Sequence, residues 1–234
     1  MKIGVLSDIH GNSYALQKVL GQARKEKVQK LYILGDFVGY YYDPDKVLEM
    51  LKEWDYDFIR GNHEDLLSCL KENKISELEV VQKFGNGHKT ALQKLSEAQQ
   101  TQLINAPNKK KVIIDGVRIL LCHGSPYDAG LYLYPDTEKE ILDKCDVSDM
   151  DFVMIGHSHY SFIYKNKKSI LINVGSVGQA RNIGGMAYWL LMNTKNRTLE
   201  VKATFYDVTP LVKQIESMDP GNHYLKDVLF RGAG

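Results

Sequence analysis

Five short strings hold side chains able to bind a hard or borderline metal ion: Asp8-Ile9-His10, Gly35-Asp36, Gly61-Asn62-His63, His123-Gly124 and Gly156-His157-Ser158-His159. The chain has seven histidines, and five of them fall in these strings, most of which follow directly on an apolar run. Asp8, His10, Asp36, Asn62, His123, His157 and His159 offer seven N/O donors, more than one ion can use. That number suits two adjacent cations sharing a carboxylate, the working arrangement of many metal-dependent phosphoester hydrolases. A mixed carboxylate and imidazole set favours Mn, Fe, Zn, Ni or Co over Mg or Ca. A lone histidine in a loop is usually just a satisfied polar residue. The clustering of His with Asp carries the reading.

The spacing says how the backbone must present these groups. Asp8 and His10 stand two apart, so in an extended stretch both face the same way, and His157 and His159 repeat the pattern. The two oxygens of Asp36 suit a bridge between cations, and Asn62 offers a neutral carbonyl oxygen. The elements behind them read as buried strands at Lys2 to Leu6, Leu31 to Leu34 and Asp57 to Ile59. Between these strands lie two amphipathic helices. Ala15, Leu16, Val19 and Leu20 form the stripe of one; Asp43 as N-cap and Pro44 as first residue open the other. Alternating strand and helix predicts parallel strands with right-handed crossovers, and ligands at their carboxyl ends.

Residues 64–105 read as a helical insertion roofing one side of the site, within which His88 is expected at the surface or in a cap. The second half is strand-rich: a hairpin about Asp115-Gly116, a buried strand from Phe152 to Ile155, and further strands at Ser161 to Lys165, Ser169 to Asn173, Met186 to Met192 and Thr198 to Phe205. A terminal helix begins near Thr209-Pro210. The whole reads as one α/β domain over 1–234, with two sheets face to face and helices outside.

Composition excludes several classes. With 44% hydrophobic and 25% charged residues, the 234-residue chain is an ordinary globular one. Thirty Lys plus Arg against 29 Asp plus Glu leaves a net charge of +1, so no stable nucleic-acid binding is expected, and Lys109-Lys110-Lys111 reads as a solvated strand start. Three cysteines without CxxC spacing read as reduced thiols. No apolar run approaches the roughly 18 residues of a membrane span, and the chain starts in a strand, not a leader. A cytoplasmic protein is expected, of undetermined oligomeric state.

The order D-x-H, G-D, G-N-H-E, H-G, G-H-x-H, running from Asp8 to His159, resembles that of the calcineurin-like metallophosphoesterases. Asn173-Val174-Gly175-Ser176-Val177-Gly178-Gln179 and the Asp8-Ile9-His10-Gly11-Asn12 opening are further similar to the small bacterial and archaeal phosphodiesterase branch. The resemblance implies a four-layer α/β/β/α sandwich of two mixed sheets, the metallophosphatase fold. It implies one cation on Asp8, His10, Asp36 and His159, another on Asp36, Asn62, His123 and His157, and activated water as nucleophile. Manganese is the first choice of metal, with Fe, Zn, Ni or Co as alternatives. His63 resembles the histidine that protonates the leaving oxygen or stabilises the transition state. The family's protein phosphatases follow G-D with an acidic residue and an arginine; here that stretch is Gly39-Tyr40-Tyr41, which leaves the partner that orients His63 unidentified. Arg60, Arg181 and Asn12 are candidates for substrate contact, and Tyr40, Tyr41 and Tyr42 read as lining the mouth or as exposed loop residues. The expected activity is hydrolysis of a phosphodiester in a small-molecule or nucleotide substrate. A phosphomonoesterase or dinucleoside polyphosphate hydrolase is the alternative within the superfamily. A non-catalytic metal-binding scaffold for protein interaction is the alternative from another class, although the retromer subunit of that kind lacks the full histidine set.

Overall fold

Alternate residues along the central strands face two different cores, and this stacks the molecule in layers. The computed structural model describes residues 1–232. One sheet has the order β10 (Thr198–Phe205), β9 (Met186–Asn193), β1 (Lys2–Leu6), β2 (Lys30–Ile33), β3 (Tyr56–Phe58). The other has the order β4 (Lys109–Ile114), β5 (Val117–Cys122), β6 (Phe152–Ile155), β8 (Ile170–Asn173), β7 (Phe162–Lys165). β1, β2 and β3 are parallel, with Ile3 opposite Lys30 and Leu31 opposite Tyr56. β5, β6 and β8 are likewise parallel. Antiparallel strands flank both sets, so both sheets are mixed.

Ile3, Val5, Tyr32 and Leu34 of the first sheet meet Ile119, Leu121, Phe152 and Met154 of the second in the central core. The intervening Leu6, Leu31, Ile33 and Trp189 turn outward to α1 (Ser13–Lys25) and α2 (Pro44–Leu51). On the far side, Leu120, Cys122, Val153 and Ile155 pack with Leu142 of the short α7 (Lys139–Asp143). This is the expected four-layer sandwich. Each buried Leu, Ile or Val contributes about 1.5–3 kcal/mol, so the alternation also pins the register.

Between β3 and β4 come α3 (Asn62–Lys71), α4 (Glu77–Phe84), α5 (Gly87–Lys94) and α6 (Glu97–Ile104). The chain closes with α8 (Thr209–Met218) and α9 (His223–Asp227). These last helices change the place of the three tyrosines. Tyr40, Tyr41 and Tyr42 are buried against Leu211, Ile215 and Leu225, not exposed in a loop. The Tyr42 hydroxyl donates to Asp219 at 2.7 Å. Asp43 stands at the N-cap of α2 with Pro44 first, as expected, but its side chain makes no cap bond and instead accepts from Ser13 Oγ at 2.8 Å and Gln214 Nε2 at 3.2 Å. Among the described residues, no helix is long and apolar enough to cross a membrane.

Candidate metal centre

The strands converge on one point. Asp8 and His10 follow β1, Asp36 follows β2, Asn62 opens α3 just after β3, His123 follows β5, and His157 and His159 follow β6. Asp8, His10, Asp36, His157 and His159 all adopt positive φ, between 52° and 65°. Non-glycine residues rarely do so, at a cost of order 1–3 kcal/mol each, and such strain gathers at functional sites. Loop-to-loop bonds hold it: His10 N–H donates to Asp36 O at 2.9 Å and Gly178 N–H to Asp8 O at 2.9 Å. The Asn173 to Gln179 string is thus a brace. Ser176 Oγ donates to Asp8 O at 2.8 Å, and Asn173 Nδ2 to Gly156 O at 2.8 Å.

Backbone carbonyls set the imidazole tautomers. His10, His123 and His159 each donate Nδ1–H to a carbonyl, of Val38 (3.0 Å), Leu34 (2.7 Å) and Gln179 (2.7 Å) respectively. Each therefore turns a bare Nε2 inward. His157 is reversed: its Nε2 donates to Gly130 O at 3.2 Å and its Nδ1 faces in. The inward nitrogens then meet lone pair to lone pair. His10 Nε2 lies 3.1 Å from His159 Nε2, and His157 Nδ1 lies 3.1 Å from His123 Nε2. Asn62 Oδ1 is 2.9 Å from His123 Nε2, and Asp36 Oδ2 is 3.2 Å from it. Buried Asp8 Oδ1 has no hydrogen-bond donor and lies 3.2 Å from His159 Nε2. Such contacts are repulsive unless a cation sits among them, so the residues fit divalent metal ions. Their donor atoms fall into the groups Asp8–His10–His159 and Asp36–His123–His157, with His10–Asp36–His63 between.

The electrostatics agree. Burial pushes the Asp8 and Asp36 carboxyls up, yet neighbouring imidazoles outweigh it and hold both well below the usual range. Burial lowers His10 to about 3 and His157 to about 4. For His123 burial is outweighed by the charges of Asp36 and Asp8, which raise it to about 10 and mark the place as one that attracts a cation.

His63 is set apart. Its backbone N–H donates to Asp36 Oδ1 at 2.9 Å, and its Nε2 lies 4.0 Å from Asp36 Oδ2. Its other nitrogen meets His88, contrary to the expectation of a surface or capping role: His88 is fully buried, with its Nε2 3.2 Å from His63 Nδ1. Glu64, next in the chain, carried no assigned role in the sequence reading beyond its place in the G-N-H-E string. Its carboxylate accepts the N–H groups of Asp36, Phe37 and Gly61, each at 2.8 Å, clamping the Asp36 loop to the start of α3.

The substrate candidates divide. Arg181 Nη2 donates to the Tyr40 hydroxyl at 3.2 Å, and the Tyr40 ring lies edge-on to His10 at 4.6 Å, so this guanidinium borders the centre. Arg60 does not face it. Its guanidinium donates to Ala106 O at 2.9 Å and pairs with Asp65 at 2.8 Å, bracing the return from α6. Asn12 is buried as the α1 N-cap: Oδ1 accepts from Ala15 N–H at 3.1 Å, and Nδ2 donates to Gly178 O at 2.8 Å. Its amide is spent on structure. Asp65 and Ala15 are local partners, but Ala106 and Gly178 lie 46 and 166 residues away, beyond what sequence spacing shows.

The fold and site together are those of an α/β protein whose candidate metal-binding groups lie at the carboxyl ends of parallel strands. The chain belongs to the calcineurin-like phosphoesterase superfamily, whose domain model matches residues 1–197. It is 26% identical over 231 residues, 91% of both chains, to the uncharacterized protein MJ0912 of Methanocaldococcus jannaschii. Its fold is similar to that of the hypothetical protein PH1004 from Pyrococcus horikoshii (TM-score 0.85, 20% identity, 99% and 98% of the two chains). It is also similar to a metallophosphoesterase from Sphaerobacter thermophilus (TM-score 0.79, 22% identity, 98% of each chain).

Proposed function

We propose that this chain is a cytoplasmic two-metal phosphodiesterase acting on a small-molecule or nucleotide substrate. The observation that carries the proposal is the pair of bare imidazole nitrogens facing each other at 3.1 Å, twice, about Asp8 and Asp36. Asp8, His10, Asp36 and His159 would hold one divalent cation, and Asp36, Asn62, His123 and His157 the other, with manganese the first choice. When bound, such ions supply Lewis acidity toward phosphoryl oxygens and a nucleophile from water near neutral pH.

The chain's own residues do the rest. His63 presents Nε2 beside Asp36, where it donates to the leaving or a non-bridging oxygen as charge develops. Arg181 supplies a planar donor for a non-bridging oxygen from behind Tyr40. Tyr40 is neutral, and Arg60 is turned away, so the protein adds little positive charge beyond Arg181. A diester, with one negative charge fewer than a monoester dianion, suits that balance. Tyr132 stacks on His157 at 3.8 Å between centroids, and Tyr134 and Tyr160 extend the wall beside a cavity of about 440 Å³. That wall favours a substrate with a planar group, such as a nucleotide.

The test compares kcat/KM for a chromogenic diester and the matching monoester, with Mn²⁺ present. The diester is expected to be favoured. A tenfold preference for the monoester, about 1.4 kcal/mol of transition-state discrimination, would replace the assignment by a phosphatase. Tight metal binding with no turnover of either would favour the scaffold reading.

A further inference from the structure

We propose that His88 is the positioning residue of His63, holding it as the tautomer whose Nε2 carries the proton and faces the metal centre. The role rests on the phosphoesterase reading above; the geometry does not. The two rings are nearly parallel, 11° apart with centroids at 4.9 Å, and His63 Nδ1 lies 3.2 Å from His88 Nε2. Both side chains are buried, and Phe84 walls them edge-on at 5.1 and 5.9 Å.

Two glycines let α5 close over the ring. A Cβ on Gly39, at φ 89°, would lie 2.1 Å from His63 Nδ1, and a Cβ on Gly87 would lie 2.6 Å from Tyr40 N. Side chains at either place would push the rings apart. The Gly39-Tyr40 turn is thus shaped to admit a histidine from α5.

Proton counting then fixes the tautomers. The 3.2 Å contact takes one proton, supplied by either ring. Among the described residues, buried His88 Nδ1 has no acceptor at hydrogen-bonding geometry, the His63 backbone beside the ring included. A proton on it would be an orphaned buried N–H, the rarest kind of unsatisfied group. His88 therefore carries its proton on Nε2 and donates it to His63 Nδ1, so the His63 proton sits on Nε2. A carboxylate partner would do the reverse and accept from Nδ1–H. Neutral His63 is thereby a fixed hydrogen-bond donor toward a phosphoryl or leaving oxygen and cannot act as a base there.

The test has two arms on the full-length, Zn²⁺-loaded chain. Nitrogen-15 NMR of ring-labelled histidine is expected to show His63 protonated at Nε2 and bare at Nδ1; a proton on His63 Nδ1 overturns the proposal. In kinetics, His88→Phe keeps the stacked ring and removes the donor. It should lower kcat about tenfold, with KM and metal content within twofold, and His88→Gln, which restores an amide donor, should recover most of the loss. In a His63→Ala background, His88→Phe should cost nothing further. A defect that multiplies in that background, or loss of metal from His88→Phe, shows a structural role and overturns the proposal. If the wild type hydrolyses no phosphoester, the functional reading fails, and the NMR arm still decides the pair on its own.

Discussion

Replacing Glu64 by glutamine tests how the Asp36 loop is held. The carboxylate accepts Asp36 N–H and Gly61 N–H on Oε2 and Phe37 N–H on Oε1, all at 2.8 Å and all buried. Glutamine keeps one oxygen. In its better orientation the amide retains the bonds to Asp36 and Gly61 and turns an NH₂ group toward the Phe37 N–H. The buried Phe37 N–H is then unsatisfied, at about 1–3 kcal/mol, and the longer contact from Val38 N–H at 3.4 Å is lost with it. The two remaining bonds lose charge assistance and roughly half their strength. Against this, the carboxylate itself is costly: burial and the charge of Asp36 push Glu64 up to about 7. A net loss of about 1–3 kcal/mol follows, or about 3–10 °C in Tm for a chain of this size. If Asp36 is the shared ligand proposed above, its loosening should also weaken metal binding about 10–100-fold, the usual effect of removing a group that orients a ligand. Calorimetric unfolding of the metal-free variant and Mn²⁺ titration measure the two effects. An unchanged Tm with metal affinity within twofold of wild type would refute the clamp.

His63→Ala should retain its metal and lose about 10²–10⁴ in turnover; metal loss equal to that of His123→Ala would make it a ligand. Asp43→Ala should destabilise in a pH-dependent way. Burial would raise this carboxyl, but Ser13, Gln214 and Lys46 outweigh it and depress it. Its contribution is therefore present above the ordinary carboxylate pKa of about 3.9 and fades as pH falls through the depressed value. Unfolding curves at pH 7 and pH 3.5 should show a deficit that shrinks at the lower pH; an equal deficit at both would contradict this. Arg60→Ala should lower stability by about 1–2 kcal/mol with kcat/KM within threefold, whereas a KM effect alone would return Arg60 to the substrate.

The layers and the convergence of the donors were legible because each string ends an apolar run, and strand ends in a parallel sheet share one edge. Register followed from alternation, as in Ile3 and Val5 against Leu6. His88 was not legible. Its glycine-flanked place in a polar helical stretch looks like a cap, and only the approach of α5 to Gly39 buries it. The exposed-loop alternative for the tyrosines fails for a similar reason: their cover comes from α8 and α9, some 170 residues on, while Tyr40 does border the centre beside His10. Asp43 was read by local capping rules, but its partners Ser13 and Gln214 come from other helices. Asn12 opened the first helix as expected, yet Gly178 claims the amide that was to reach substrate.

The most direct test of the two-metal claim is elemental analysis of chain loaded with Mn²⁺ and freed of loosely bound metal, for wild type and Asp36→Ala. The account predicts two ions per wild-type chain and loss of tight binding in the variant, because Asp36 belongs to both sites. One tightly bound ion per chain, unaffected by Asp36→Ala, would contradict it.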